Sequence, residues 1–417
     1  MTFFLLSVRT AAVLLGFCLV ANQMALAEQP MSGREYPGLE SFDSTMLRLL
    51  DKWNIPGGAL AVSHNGHVLL CRGYGYADRE KQTFLVPDNI FRFASLSKPI
   101  TSVAILKLVE KRVISLDRSV LPLLGTAAPP QSKIMDPRVR SITVRQLLHH
   151  TGGFDRAISG DPMFMPRAEV VARLAGGRMP ANKYDIIRGA LQQNLDFDPG
   201  SKYAYSNFGF SILGRVIEQV SGMSYEEFVR KNVFAPIGVT MWQGRTLEAR
   251  AQEVHYYDYP GSRLVNPEPG LATQRVPAPY GEFYIEAMDS HGGWIASVPE
   301  YLRFWLAIFG ERDRPLLSSN LLALLRERPK DISGSEPVYY GCGIQVRVLR
   351  NGGFNCWHSG SLPGTITFAL HSDEGFDWVA AFNSRPKDHD AFTHELDVAL
   401  WDACRSVRQW PRGDLWL

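Results

Sequence analysis

Phe91-Arg92-Phe93-Ala94-Ser95-Leu96-Ser97-Lys98-Pro99 is the stretch on which the fold of this chain turns. Ile100, Val103, Ile105, Leu106, Leu108 and Val109 follow at once. Their spacing predicts a core helix from about Ser95 to Arg112. Pro99 suits the first turn of such a helix and would break its interior. A helix advances about 1.5 Å and about 100° per residue, so positions three apart share a face. The Ser95 hydroxyl and the Lys98 amine can therefore meet. A serine hydroxyl is a poor nucleophile until a base takes its proton, and a lysine buried enough to be neutral part of the time is such a base. S-x-x-K alone is also what a surface serine one turn from a solvated lysine looks like, so the weight falls on what accompanies it.

Two further segments carry chemistry. Tyr205-Ser206-Asn207 follows the turn signal Asp198-Pro199-Gly200 and precedes Phe208-Gly209-Phe210-Ser211-Ile212-Leu213, which opens a helix expected to reach Val220. Polar side chains at such a junction can face a cleft. A tyrosine near a lysine can exchange protons with it, the positive charge favouring phenolate. Asn207 could instead cap the helix. Trp357-His358-Ser359-Gly360-Ser361-Leu362-Pro363-Gly364 reads as a strand edge whose small residues let a substrate backbone approach and whose N–H groups can meet an oxyanion. A glycine-rich turn between strands is the alternative.

Around these segments the chain organises itself. Met1–Ala27 reads as a secretory leader, with Arg9 before an apolar run and Ala25-Leu26-Ala27 as the cleavage site. Periplasmic or secreted location is expected, with no stable membrane span after cleavage. Apolar runs on either side of His64-Asn65-Gly66 predict a hairpin. Residues 121–134 read as loop, Thr143 to His149 as a short threonine-capped helix, and the middle of the chain as mostly helical. Strand patterns return at Gly341–Leu349, Cys356–His358, Thr365–His371 and Trp378–Asn383, and Ala391–Trp410 closes the chain as an amphipathic helix. Strands at both ends with helices between predict an α/β (α+β) fold. One sheet is built from 28–115 and 290–417, a mainly helical lobe spans 116–289, and the active site lies between them.

Lys and Arg number 44 against 42 Asp and Glu. That balance, with no basic stripe, excludes a nucleic-acid footprint. Of five cysteines, Cys18 lies in the leader. Cys71, Cys342, Cys356 and Cys404 allow two disulfides, but a chain of this size does not need them, and free buried cysteines are expected. No C-x-x-C or other zinc spacing is present, so neither metal nor cofactor is expected. The composition is silent on oligomeric state.

Taken together, the segments resemble the three motifs of the serine beta-lactamase and penicillin-binding protein superfamily, in particular its class C branch with esterase, D-aminopeptidase and DD-peptidase relatives. The matching pairs are Ser95/Lys98, Tyr205/Asn207 and His358/Ser359/Gly360. Phe93-Ala94 and Ile142-Thr143-Val144-Arg145-Gln146-Leu147-Leu148-His149-His150-Thr151-Gly152-Gly153 flank them in the same order. The likeness covers roughly Leu47 to Ser384. It implies a beta-lactamase/transpeptidase-like antiparallel sheet flanked by helices. It also implies a serine hydrolase in which Ser95 is acylated while Lys98 and Tyr205 serve as general base and proton shuttle. Asn207 would orient Lys98 and the substrate, the backbone N–H groups of Ser95 and Ser361 would form the oxyanion hole, and His358, Ser359 and Gly360 would touch substrate.

One departure matters. Where beta-lactamases and transpeptidases usually carry lysine, this chain has His358. A histidine is largely neutral near pH 7 unless paired with an acid, which points toward the esterase and peptidase relatives. Substrate contacts are expected from loops at 151–165, 280–294 and 339–340, with Phe154, Met163, Phe164, Met165, Phe283, Tyr284, Trp294, Tyr340 and Trp357 lining an apolar cleft, unless they are ordinary core. The expected function is hydrolysis of an amide, peptide or ester bond in a small or peptide-like substrate. A penicillin-binding DD-carboxypeptidase or weak beta-lactamase, and a non-catalytic ligand-binding homologue, are the alternatives.

Overall fold

The computed structural model describes residues 29–311, 314–330 and 336–415. The expected leader and Cys18 lie outside them. Eight strands form the path of the main sheet: β1 (Met31–Gly33), β2 (Gly57–His64), β3 (His67–Asp78), β4 (Val338–Tyr340), β5 (Gln345–Val348), β6 (Phe354–Leu362), β7 (Thr365–His371) and β8 (Phe376–Phe382). Their order across the sheet is β1-β3-β2-β8-β7-β6-β5-β4, with every neighbouring pair antiparallel. The two ends of the chain thus meet at β2 and β8, and a mainly helical lobe is inserted between them.

The predicted hairpin forms on Asn65-Gly66. Both residues have positive φ, 51° and 75°, the turn whose twist matches its strands. Helices α1 (Glu40–Trp53) and α5 (His389–Ser406) cover one face of the sheet, where Phe42, Met46, Leu49, Leu396 and Leu400 pack on Leu60, Val62 and Trp378. Helices α2 (Ser97–Glu110) and α4 (Val298–Phe309) lie in the core on the other side, with the inserted lobe and α3 (Asn207–Ser221). Covered on both faces, β7 and β8 are buried along their whole length; they are largely apolar, and their polar residues Thr365, Thr367, His371 and Asp377 are all hydrogen-bonded.

Several boundaries moved. Only Gln345–Val348 of the expected strand Gly341–Leu349 is extended, because Gly341 and Gly343 (φ 80°) form a tight turn. β6 is longer than expected and carries His358 to Leu362 as strand. The last helix stops at Ser406 rather than Trp410. Residues 121–134 contain three single turns of 3₁₀ helix. All four described cysteines are free thiols, with Cys342, Cys356 and Cys404 buried. Among the described residues no helix is long and apolar enough to cross a membrane.

A buried charge cluster ties distant segments of the lobe together. Arg215 on α3 pairs with Asp289 at 2.7 Å and with Glu218, and Lys183 also reaches Asp289. Burial alone would raise the Asp289 carboxyl, but Arg215 and Lys183 overturn that and hold it well below the usual range. Asp289→Ala would leave the Arg215 guanidinium buried with one counter-ion fewer. It should cost about 3–5 kcal/mol, read as a fall in the denaturant midpoint with the slope unchanged.

Candidate active site

Ser95 sits where strand turns into helix. Phe91–Arg92 pairs with Trp294–Ala296 in a small second sheet, and the Phe93 N–H donates to Trp294 O at 2.9 Å. Ala94 then takes φ +49°, an unusual conformation for a residue with a side chain. A 3₁₀ turn, Ala94–Leu96, leads into α2. The main sheet grips this turn directly, because Thr365 Oγ1 donates to Arg92 O at 3.0 Å and Thr367 Oγ1 to Phe93 O at 2.9 Å. Behind it, Tyr301 Oη donates to Leu96 O at 2.8 Å.

β6 runs close against this turn at Gly360. A Cβ there would lie 2.4 Å from Phe93 O and 2.3 Å from Thr367 Oγ1. Gly360→Ala should therefore displace Ser95, with about 1–3 kcal/mol lost in stability and kcat/KM down by the order of 10². Paired thermal melts and ester kinetics measure both.

Lys98 is fully buried one turn along. Its Nζ lies 3.1 Å from Ser95 Oγ, 2.7 Å from Asn207 Oδ1 and 3.1 Å from His291 O. Two of these neighbours can only accept hydrogen bonds, whereas the third is a hydroxyl that can donate. A neutral amine fits this set fully: two N–H bonds go to the carbonyl oxygens and the lone pair faces the Ser95 O–H. The Asn207 amide is fixed in the required sense because its Nδ2 donates to Asp161 Oδ2 at 2.7 Å. Burial pushes the lysine well below its ordinary pKa, with Arg156 adding to the effect and Asp161 opposing it.

Asn207 does not cap α3. Ser206 does, accepting from the Gly209 N–H at 3.1 Å, which leaves the Asn207 side chain for the cleft. Tyr205 joins the cluster with its ring centroid 4.7 Å from Lys98 Nζ and its hydroxyl hydrogen-bonded to Ser95. Burial raises the Tyr205 phenol above its ordinary range despite that bond, so burial outweighs the pull of the nearby amine toward phenolate and the resting group is the protonated phenol.

β6 forms the opposite wall. β5 pairs only as far as Trp357, opposite Gln345, so the outer edge of β6 beyond that residue is free. Leu362 and Thr365 flank the two-residue Pro363-Gly364 turn. In a two-residue hairpin the flanking residues are the hydrogen-bonded pair, so antiparallel alternation directs the Ser361 and Ser359 backbone groups to the free edge. His358 faces inward and is buried. Its Nδ1 donates to Ser359 O at 2.6 Å and its Nε2 accepts from Tyr340 Oη at 2.9 Å. Burial, then the nearby Lys98, push its pKa down to about 3. The ring is thus neutral with both nitrogens engaged. NMR should show no titration of His358 between pH 5 and 8, and no step in KM from it in that range.

Ser95, Tyr205, Asn207, Tyr340, Trp357, His358, Ser359, Gly360 and Ser361 all line one cleft of about 840 Å³. Phe164 and Met165 also line it, but Phe154, Met163, Phe283, Tyr284 and Trp294 do not. Met163, Phe283 and Trp294 are core residues and Tyr284 packs against the core, while Phe154 packs edge-on against Phe208.

Sequence reasoning missed three contributors. Asp161 orients Asn207, His291 offers its carbonyl to Lys98, and His150 accepts from the Ser206 N–H through Nδ1 at 3.1 Å while its ring lies 4.3 Å from Tyr205. His150 stands in the quoted flank, and Asp161 and His291 fall within the loops expected at 151–165 and 280–294, but the sequence singles out none of the three. Among the described residues no group of three or more His, Cys, Asp or Glu could hold a metal ion.

The comparisons with known proteins agree with this architecture. The family described as Beta-lactamase matches residues 42–400. A probable fimbrial assembly protein FimD, serogroup H1, of Dichelobacter nodosus is 31% identical over 341 residues, covering 79% of this chain and 75% of that protein. Penicillin-binding protein 4* of Bacillus subtilis (strain 168) is 24% identical over 332 residues, covering 78% of this chain and 67% of that protein. In the fold, D-amino acid amidase from Ochrobactrum anthropi SV3 superposes with a TM-score of 0.69 at 20% identity, covering 89% of this chain and 99% of that one. Since the family match spans residues 42–400, most of its length, the chain belongs to the beta-lactamase family.

Proposed function

We propose that the protein is an exported serine hydrolase that hydrolyses an ester or amide bond of a small or peptide-like substrate through an acyl-enzyme on Ser95. The observation that carries this reading is the setting of Lys98. It is buried and held between two carbonyl acceptors, with its third neighbour the Ser95 hydroxyl. As Ser95 Oγ bonds to the substrate carbonyl carbon, its proton passes to Lys98 Nζ. The carbonyl oxygen becomes an oxyanion facing the Ser95 and Ser361 N–H groups, where one such donor is worth about 3–4 kcal/mol in other hydrolases. When the intermediate collapses, the leaving group takes the Tyr205 proton and Lys98 returns one to Tyr205. Water then repeats the sequence on the acyl-enzyme. Asn207, His358, Ser359, Gly360, Trp357 and Tyr340 bind and orient substrate, and export follows from the reading of residues 1–27.

The neutral, fully engaged His358 weighs against a penicillin carboxylate as the preferred ligand, since it offers no cation at the third motif. A panel of p-nitrophenyl esters, L- and D-amino acid amides and nitrocefin tests the proposal. Turnover of esters or amides well above nitrocefin is expected. Nitrocefin as the best substrate would favour the penicillin-recognising alternative, and failure of every probe to acylate Ser95 would favour a binding protein.

A further inference from the structure

With His358 neutral, the positive charge in the cleft comes from arginines. Arg156, Arg167 and Arg385 line it together with Ser95. Arg167 donates to Gln193. Arg156 is exposed and lies over the Tyr205 ring, 5.3 Å from its centroid. Arg385 is different: it is only partly exposed, yet among the described residues it makes no hydrogen bond and no ion pair.

A guanidinium that loses water without gaining a partner is costly. Burial accordingly lowers the Arg385 pKa, and Glu282 and Asp258 oppose this only through space. The acids on this part of the wall are Glu282 and Asp390, and Asp390 lies against His389 at 3.1 Å.

The sheet fixes which end of the cleft Arg385 serves. Phe382, the last residue of β8, pairs with Ile366, and Thr365 pairs with Leu362. Arg385 thus lies just beyond the β8 end, on the side of the Pro363-Gly364 turn. His358, beside Tyr340 and Tyr205, is four residues back along β6, about 13 Å at about 3.3 Å per residue. The leaving group must lie within reach of Tyr205, which supplies its proton. The acyl part then runs the other way, past Ser361 toward Arg385.

We propose that the acyl part of the substrate carries a carboxylate, or an equivalent single anionic group, that is received by Arg385. A planar guanidinium matches a carboxylate with two parallel N–H donors, so the pairing selects for position as well as charge. Arg385 is a binding residue here, remote from the reacting atoms. This inference rests on the acyl-enzyme reading above.

The test compares two esters of equal acyl length, mono-p-nitrophenyl glutarate, which ends in a carboxylate, and p-nitrophenyl valerate, which does not, after subtraction of spontaneous hydrolysis. Wild type should favour the glutarate by about 10-fold to 100-fold in kcat/KM, the usual worth of one charged hydrogen-bonded contact. In Arg385→Ala the glutarate-to-valerate ratio should fall at least about tenfold on the same basis, and Arg385→Lys should recover part of it. Arg385→Glu, should Arg385→Ala fold poorly, should shift preference toward p-nitrophenyl 4-(trimethylammonio)butyrate. Equal rates on the two esters in wild type, an unaltered ratio in Arg385→Ala, or a collapse of the ratio in Arg156→Ala instead would overturn the assignment. Valerate turnover with no preference sinks this inference alone, whereas absence of any acylation of Ser95 by either ester sinks the hydrolase reading and this one with it.

Discussion

Ser95→Ala should lower kcat/KM on an activated ester by about 10⁴-fold or more, the loss seen when a nucleophile is removed from a set of groups that act as a unit. The oxygen removed is the one that Lys98 and Tyr205 both face, so neither partner can compensate. A small residual rate over water should survive, because the oxyanion donors are backbone groups that the substitution leaves in place. The fold should barely register the change. The turn is held by Thr365, Thr367 and Tyr301 through main-chain oxygens, and none of these bonds involves the Ser95 side chain. A thermal melt within about 2–4 °C of wild type, equivalent to about 1 kcal/mol or less, would separate lost chemistry from lost structure.

Lys98→Arg should be almost as damaging, at about 10²–10⁴-fold, the range of a positioned general base. The variant keeps a long basic side chain, but a guanidinium stays charged where the amine is neutral, does not give up its proton, and its planar fork does not fit between Asn207 Oδ1 and His291 O. The wild-type pH profile should show an acid limb set by the depressed Lys98 pKa, with activity rising as pH rises and the amine becomes neutral. The same residue makes a statement about stability. Its folded pKa lies below its unfolded value. Between those two values the unfolded chain binds more protons than the folded one, so stability rises with pH across that window. Lys98→Met removes the contribution. Denaturation at pH 7 and pH 9 should show wild type gaining more on going to pH 9 than Lys98→Met does. Equal gains would mean that Lys98 carries an ordinary charge in the folded state.

The sequence made the architecture legible because its signals were local. The Asn65-Gly66 turn, the threonine cap at Thr143 with its reciprocal Gln146 bond, and the apolar runs of β7 and β8 each declare themselves within a few residues. The pairing of β2 with β8, over 300 residues apart in the chain, followed from having strands at both ends. Within the site, Ser95 and Lys98 were legible from helical spacing. Legibility failed where the determinants are tertiary. For Asn207 the sequence left two roles open, cleft residue and helix cap, and only the structure separates them, because Ser206 caps from the neighbouring position. For Tyr205 the sequence showed that the Lys98 charge would favour phenolate but gave no measure of burial, which dominates. The aromatic loop residues divided between cleft and core, since periodicity does not report which side of a loop faces solvent. Asp161 lay in the loop expected at 151–165 but carried no signal of its own, being a lone acid in a Gly-Asp-Pro turn whose role depends on α3 arriving beside it. Arg385 became visible only when the sheet register placed it at the end of the cleft.

Acylation of Ser95 is the claim on which everything else stands. The protein mixed with a p-nitrophenyl ester and quenched in acid within seconds should show, by intact-mass spectrometry, the addition of one acyl group. Peptide mapping should place it on Ser95, Ser95→Ala should show none, and Lys98→Arg should accumulate it far more slowly. An ester that is turned over with no adduct at any quench time, or with its adduct on another residue, would contradict the account.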